Sequence, residues 1–200
     1  MSWVAPQPTS LGAVVVMALG FALFVASLGL VRLRLRHPGR SKGGHGAPRS
    51  MLGVAIQSLG FLAVGVGPIV ATLAPGSPAG LAQAALVLAL MGLTIGLFAA
   101  AAHAMGHNWS IVARTRSDHA LVTWGPFALV RHPIYVALFA MLLAMALAFG
   151  HLRGLVPGVP LYWIGTWLRV AEEERLLRLR FGPTYDAYAA RVKRFVPGLL

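Results

Sequence analysis

The chain of 200 residues contains no cysteine. Disulfides, thiolate metal sites and a cysteine nucleophile are therefore excluded. Charge is scarce as well. Only 11% of residues are charged, and just five are acidic. A soluble domain carries about 25% charged residues. The deficit is concentrated: no Asp, Glu, Lys or Arg occurs in residues 1–31, 50–113 or 132–152. Apolar stretches that long are unstable in water and read as membrane spans.

What is present is apolar and basic, with 58% hydrophobic residues and a net charge of +12. In a soluble chain this charge would suggest nucleic acid. Here the basic residues flank apolar runs, so membrane lipid headgroups are the expected partner and nucleic acid is not. The first run lacks a basic n-region and is too long for a signal peptide, so it reads as a retained span. The expected fold is all-α: a polytopic membrane protein of about five transmembrane helices, near 11–33, 51–73, 80–105, 133–150 and 155–170. The last two are short and suggest a tight hairpin joined near 151–159. Residues 36–50, rich in Gly, His and Arg, read as a flexible connector. A cytoplasmic amphipathic helix follows residue 181. There Tyr185, Tyr188, Val192 and Phe195 share one face while Arg191 and Arg194 lie on the other, the pattern of a helix on a membrane surface.

Orientation follows from the basic residues. Arg32, Arg34, Arg36, Arg40, Lys42 and Arg49 follow the first span. Arg114, Arg116 and Arg131 follow the third, and seven more lie from Arg169 onward. Only Arg153 falls on the opposite side. The N-terminus is expected outside and the C-terminus in the cytoplasm. All five acidic residues (Asp118, Glu172, Glu173, Glu174 and Asp186) fall on the cytoplasmic side, so polar chemistry is expected at the inner surface. Residues 1–105 thus form a first unit of three spans. Residues 106–200 form a second unit that carries the chemistry.

Two cytoplasmic segments interrupt the apolar pattern. In the first, 117–135, Pro133 stands where the fourth span begins. Proline suits the first helical position and pushes His132 out of the α region. Arg131 and His132 then stand at a helix N-terminus, an anion-binding arrangement. Simple anchoring of the span explains Arg131 but not the His-Pro pair or Tyr135. The second segment, 169–197, places Glu172, Glu173 and Glu174 beside Arg169. Local surface ion pairs are the plainer reading, yet three adjacent carboxylates repel one another. No metal is expected. His103 lies at the end of the third span, where an ionisable residue is a functional candidate, though a helix-packing hydrogen bond is the simpler reading. His107, Asn108 and Trp109 could line an acceptor entrance.

Residues Leu121 to Tyr135 meet the pattern L-V-T-x-G-P-(Tyr/Phe)-x-x-x-R-H-P-x-Y. Arg169, Glu173, Glu174, Leu177, Phe181, Gly182, Tyr185, Tyr188 and Val192 meet a second pattern, R-x-x-x-E-E-x-x-L-x-x-x-F-G-x-x-Y-x-x-Y-x-x-x-V. Together, from residue 106 onward, they resemble the isoprenylcysteine carboxyl methyltransferase family and the related phospholipid methyltransferases. The resemblance implies transmembrane helices with a cytoplasmic pocket for S-adenosylmethionine. It implies that His119, Ala120, Leu121, Val122, Phe127, His132, Pro133, Ile134 and Tyr135 line that pocket. Arg131, Glu173 and Glu174 are expected to hold the cofactor's polar groups. Glu173 and Arg169 are the expected catalytic pair, with Arg169 facing the substrate. Phe127 replaces a usual tyrosine, and Ala137 a frequent glycine. The expected acceptor is lipophilic, a small molecule or a lipidated substrate, most like a prenylcysteine carboxylate. A phospholipid or small-thiol acceptor, an NADPH-dependent membrane reductase and a non-enzymatic scaffold remain open alternatives.

Overall fold

A computed structural model describes residues 6–34, 48–74, 76–106 and 120–199. It is mostly helical. The helices are α1 (Leu11–Arg34), α2 (Pro48–Gly65), α3 (Pro78–Met105), α4 (Pro133–Phe149), α5 (Leu155–Phe181) and α6 (Pro183–Arg191). Two of them, α1 and α3, are long and apolar enough to cross a membrane. The apolar parts of α2 and α4 are shorter. Large apolar side chains such as Leu19, Leu23, Leu62 and Leu88 face outward, as lipid-facing residues do in an integral membrane protein.

The second apolar run does not stay helical to residue 73. Gly67 (φ 151°) and Pro68 follow α2 and cannot continue it. The chain turns extended instead, and β2 (Ala71–Leu73) pairs in parallel with β1 (Thr9–Ser10). This small sheet, absent from the all-α expectation, ties the chain start to the far end of the bundle. Thr9 Oγ1 also donates to Ala148 O at 2.7 Å. The α4–α5 turn closes at Gly150, whose φ of +72° is the left-handed region that glycine tolerates.

The fifth helix corrects the sequence expectation twice. It does not stop near residue 170 but continues unbroken to Phe181, so the three glutamates belong to the same helix as the span. It also packs chiefly along α2 rather than as a closed hairpin with α4. Glycines set that approach. A Cβ on Gly165 would lie 2.5 Å from Gln57 N and 2.6 Å from Gly53 O, and one on Gly60 would lie 2.8 Å from Gly158 O. Such contacts need the missing side chain, as in small-residue helix interfaces within membranes. One apolar core joins α1, α3 and α4 around Met17, Phe24, Met91 and Phe98. A second joins α2, α4 and α5 around Val64, Leu142 and Tyr162.

The tail also departs from expectation. α6 ends at Arg191, and Tyr185 and Tyr188 are buried against the bundle rather than facing a membrane surface. Beyond α6 the chain bends back and lies beside residues 130–132: Arg131 N donates to Lys193 O (2.8 Å) and His132 N to Arg194 O (3.0 Å).

Candidate active site

The start of α4, the last turns of α5 and the start of α2 meet at one end of the bundle. Successive residues on a helix point about 100° apart, so the three glutamates of α5 face three surroundings. Glu172 pairs with Arg175 on its own helix (2.7 Å). That hydrogen bond holds its carboxyl below the usual range. Glu173 and Glu174 both turn toward His132, whose ring lies between them. Nδ1 is 3.7 Å from Glu173 Oε2, and Nε2 is 3.2 Å from Glu174 Oε1.

The two carboxylates differ in access. The Glu173 side chain is 26% exposed, that of Glu174 only 1%. Glu174 is enclosed by cations. Arg131 Nε and Nη2 donate to its Oε1 at 3.2 and 2.9 Å. Arg194 Nε donates to Oε1 at 2.9 Å and Nη2 to Oε2 at 2.7 Å. Burial pushes the Glu174 carboxyl up, but hydrogen bonds from His132, Arg194 and Arg131 outweigh it and hold it well below the usual carboxylate range.

Tyr135, one turn into α4, joins the remaining groups. Its hydroxyl donates to Glu173 Oε1. The Arg169 guanidinium lies over its ring, 5.0 Å from the centroid. Arg169 Nη1 in turn donates to Gln57 Oε1 (2.9 Å), and Gln57 Nε2 donates to Thr166 Oγ1 (3.0 Å). An aromatic wall of Phe195 and Trp163 stands beside His132. Phe195 is 5.9 Å from the imidazole and 4.8 Å from the Trp163 ring.

His132, Tyr135, Glu173, Glu174, Arg131 and Arg169 therefore come together, as the sequence patterns imply. Their roles divide differently. Arg131 was expected to offer its guanidinium to a ligand carboxylate, but that group is already committed. Besides Glu174 it serves Ala189 O (2.8 Å) and Val192 O (2.5 Å). The backbone N–H groups of Arg131 and His132, just before α4, are likewise taken by the carbonyls of Lys193 and Arg194. Glu174 is sealed among arginines, with its side chain almost wholly buried. Pro133 is buried at the first position of α4, and Ile134 packs into the core shared with α1 and α3. Leu121 and Val122 are half-buried on the extended approach to a short 3-10 turn, Gly125–Ala128, while Ala120 is exposed. Phe127 is held through its carbonyl, which accepts from Tyr188 Oη (2.7 Å). Burial, only partly offset by the charge of Arg131, pushes the Tyr188 hydroxyl up to about 12, so it remains a neutral donor. His119, His107, Asn108 and Trp109 lie outside the described residues. His103 is exposed beside Trp124 (6.3 Å between rings).

Residues 85–179 match the model of the isoprenylcysteine carboxyl methyltransferase family. The resemblance carried by the two patterns is borne out over that segment. It begins within α3, earlier than residue 106, and ends before α6. A similar protein is the protein-S-isoprenylcysteine O-methyltransferase of Schizosaccharomyces pombe, 35% identical over 94 residues. The shared part is 46% of this chain and 40% of that protein, so the chain spans less than half the length of the relative it matches. Every expected site residue lies within the matched segment. Gln57, Arg194 and Phe195, by contrast, lie outside it. None was legible as a site residue, because each reaches the cluster only through tertiary packing.

Proposed function

We propose that this protein is an integral membrane methyltransferase that uses S-adenosylmethionine and acts on a lipophilic acceptor, most like the α-carboxylate of a prenylcysteine. The observation that carries this reading is Glu173. It is a partly exposed carboxylate, held by Tyr135 and facing His132 at one end of an apolar bundle and inside the family-matching segment. One protein donor, the Tyr135 hydroxyl, does not exhaust the roughly four acceptor positions of a carboxylate. The remaining positions suit the ribose hydroxyls of the cofactor, and His132, Tyr135 and Phe195 suit its adenine. The residues present therefore fit the cofactor.

When bound, the cofactor would supply an electrophilic sulfonium methyl to an acceptor oxygen, the O–CH3 bond forming as S–CH3 breaks and the thioether leaves with the electron pair on sulfur. A carboxylate acceptor needs no base. The protein's share is alignment and exclusion of water, and positioning alone is worth ~7–11 kcal/mol. Arg169, braced by Gln57 and stacked on Tyr135, is placed to orient an acceptor carboxylate. Apolar outer faces of the helices suit entry of that acceptor from the bilayer. The distribution of basic residues supports a cytoplasmic position for this end of the bundle and for the C-terminus.

The test is calorimetric binding of S-adenosylmethionine and S-adenosylhomocysteine to the detergent-purified chain, then methyl transfer to an S-prenylcysteine. Micromolar binding of both is expected. Glu173→Ala and His132→Ala should each weaken it about 10-fold or more, the scale of a hydrogen bond to a charged group. Unchanged affinity in both variants would reject the site, and binding of NADPH alone would move the chain to the reductases.

A further inference from the structure

Arg194 lies in the tail beyond α6, 15 residues past the end of the segment that matches the family. An arginine there would ordinarily face solvent or lipid headgroups. Instead it reaches the most enclosed carboxylate of the cluster. Its fork takes both oxygens of Glu174: Nε to Oε1 at 2.9 Å and Nη2 to Oε2 at 2.7 Å. Arg131 differs, because both of its contacts with Glu174 go to Oε1. A grip on one oxygen leaves the carboxylate free to turn about its terminal torsion, which has a broad, roughly two-fold profile. A grip on both fixes its plane. Arg178 adds little, being 46% exposed and 3.6 Å from Oε2.

The fixed plane has a consequence for His132. An ionised carboxylate only accepts hydrogen bonds. The ring nitrogen 3.2 Å from Glu174 Oε1 must therefore carry a proton. The other nitrogen, Nδ1, is then the one turned toward Glu173. Arg194 also holds His132 from the backbone, since its carbonyl accepts the His132 N–H at 3.0 Å. The next residue, Phe195, rests against the imidazole ring. Three constraints on one histidine thus come from two consecutive tail residues.

We propose that Arg194 is a positioning residue of this site. By clamping Glu174 in plane, it keeps His132 protonated on Nε2 with Nδ1 facing Glu173. The proposal rests on the methyltransferase reading for its effect on cofactor binding, but its effect on His132 does not depend on that reading.

The test uses the full-length chain in detergent, with 15N-labelled histidine. The His132 resonances are assigned from their loss in His132→Gln. The wild type should show a protonated Nε2. Arg194→Gln should displace that signal and weaken S-adenosylhomocysteine binding about 10-fold, as loss of a charge-assisted hydrogen bond does. If Arg194→Gln does not fold, Arg194→Lys, which keeps the cation without the fork, should displace the same signal by a smaller amount. A lower melting temperature with the His132 signal unchanged would show a purely structural tail contact and overturn the proposal. Should the wild type bind no S-adenosylhomocysteine while the signal still moves on Arg194→Gln, the methyltransferase reading falls and the positioning role stands.

Discussion

Consider Gly165→Ala, one methyl group at the contact between α2 and α5. The new Cβ would lie 2.5 Å from Gln57 N and 2.6 Å from Gly53 O. Ordinary contact begins near 3.4 Å. Both obstructing atoms are backbone, so neither can rotate away, and the helices must part by about 1 Å. Overpacking of this kind costs about 1–3 kcal/mol. The separation also stretches the 2.9 Å bond from Arg169 to Gln57 beyond useful length. A hydrogen bond to a charged group is worth about 1.5–3 kcal/mol. A combined loss of about 3 kcal/mol corresponds to a melting shift of about 6–12 °C for a chain of this size. The control is Gly96→Ala on α3, where a Cβ meets nothing within 4 Å. It should be neutral or stabilising, because alanine exceeds glycine in helix propensity by about 1 kcal/mol. Thermal unfolding in detergent, followed by helical circular dichroism, measures both. If Gly165→Ala melts within a degree of wild type, the close α2–α5 approach is not what holds these helices together.

Two other outcomes follow from the site. Arg169→Ala should lower turnover about 10-fold while cofactor affinity changes less than about twofold, as steady-state kinetics and calorimetry would report; normal turnover removes Arg169 from the acceptor side. The Glu174 carboxyl sits below its unfolded value of about 4.3. Its stabilising contribution is therefore complete above that pH and is lost as pH falls through the folded pKa. Acid melts should show a steepening loss of stability below about pH 4. Glu174→Gln should be less stable near neutrality, with a flatter acid dependence. An identical acid profile in that variant would assign the loss to other carboxylates.

The amino-acid sequence by itself determined the membrane character, because long uncharged apolar runs admit no other solvent. It determined the start of α4 as well, since Pro133 can open a helix but not continue one. The two patterns around Arg131–Tyr135 and Arg169–Glu174 placed the candidate site at one end of the bundle. Local signals of this kind survive folding because they depend on a residue's own backbone chemistry and immediate neighbours.

Only the tertiary structure decided which carboxylate is open and which is sealed. Glu173 and Glu174 are adjacent and chemically alike, and nothing in their order along the chain separates them. The difference comes from a turn of about 100° on the helix and from an arginine that arrives 20 residues later on a different segment. The same holds for Arg131, an apparent ligand group that proves to be occupied by the tail. Gly53 and Gly60 of α2 lie against Gly165 and Gly158 of α5. That they face one another across α2 and α5 depended on which helices pack, and that is a property of the assembled bundle rather than of either segment.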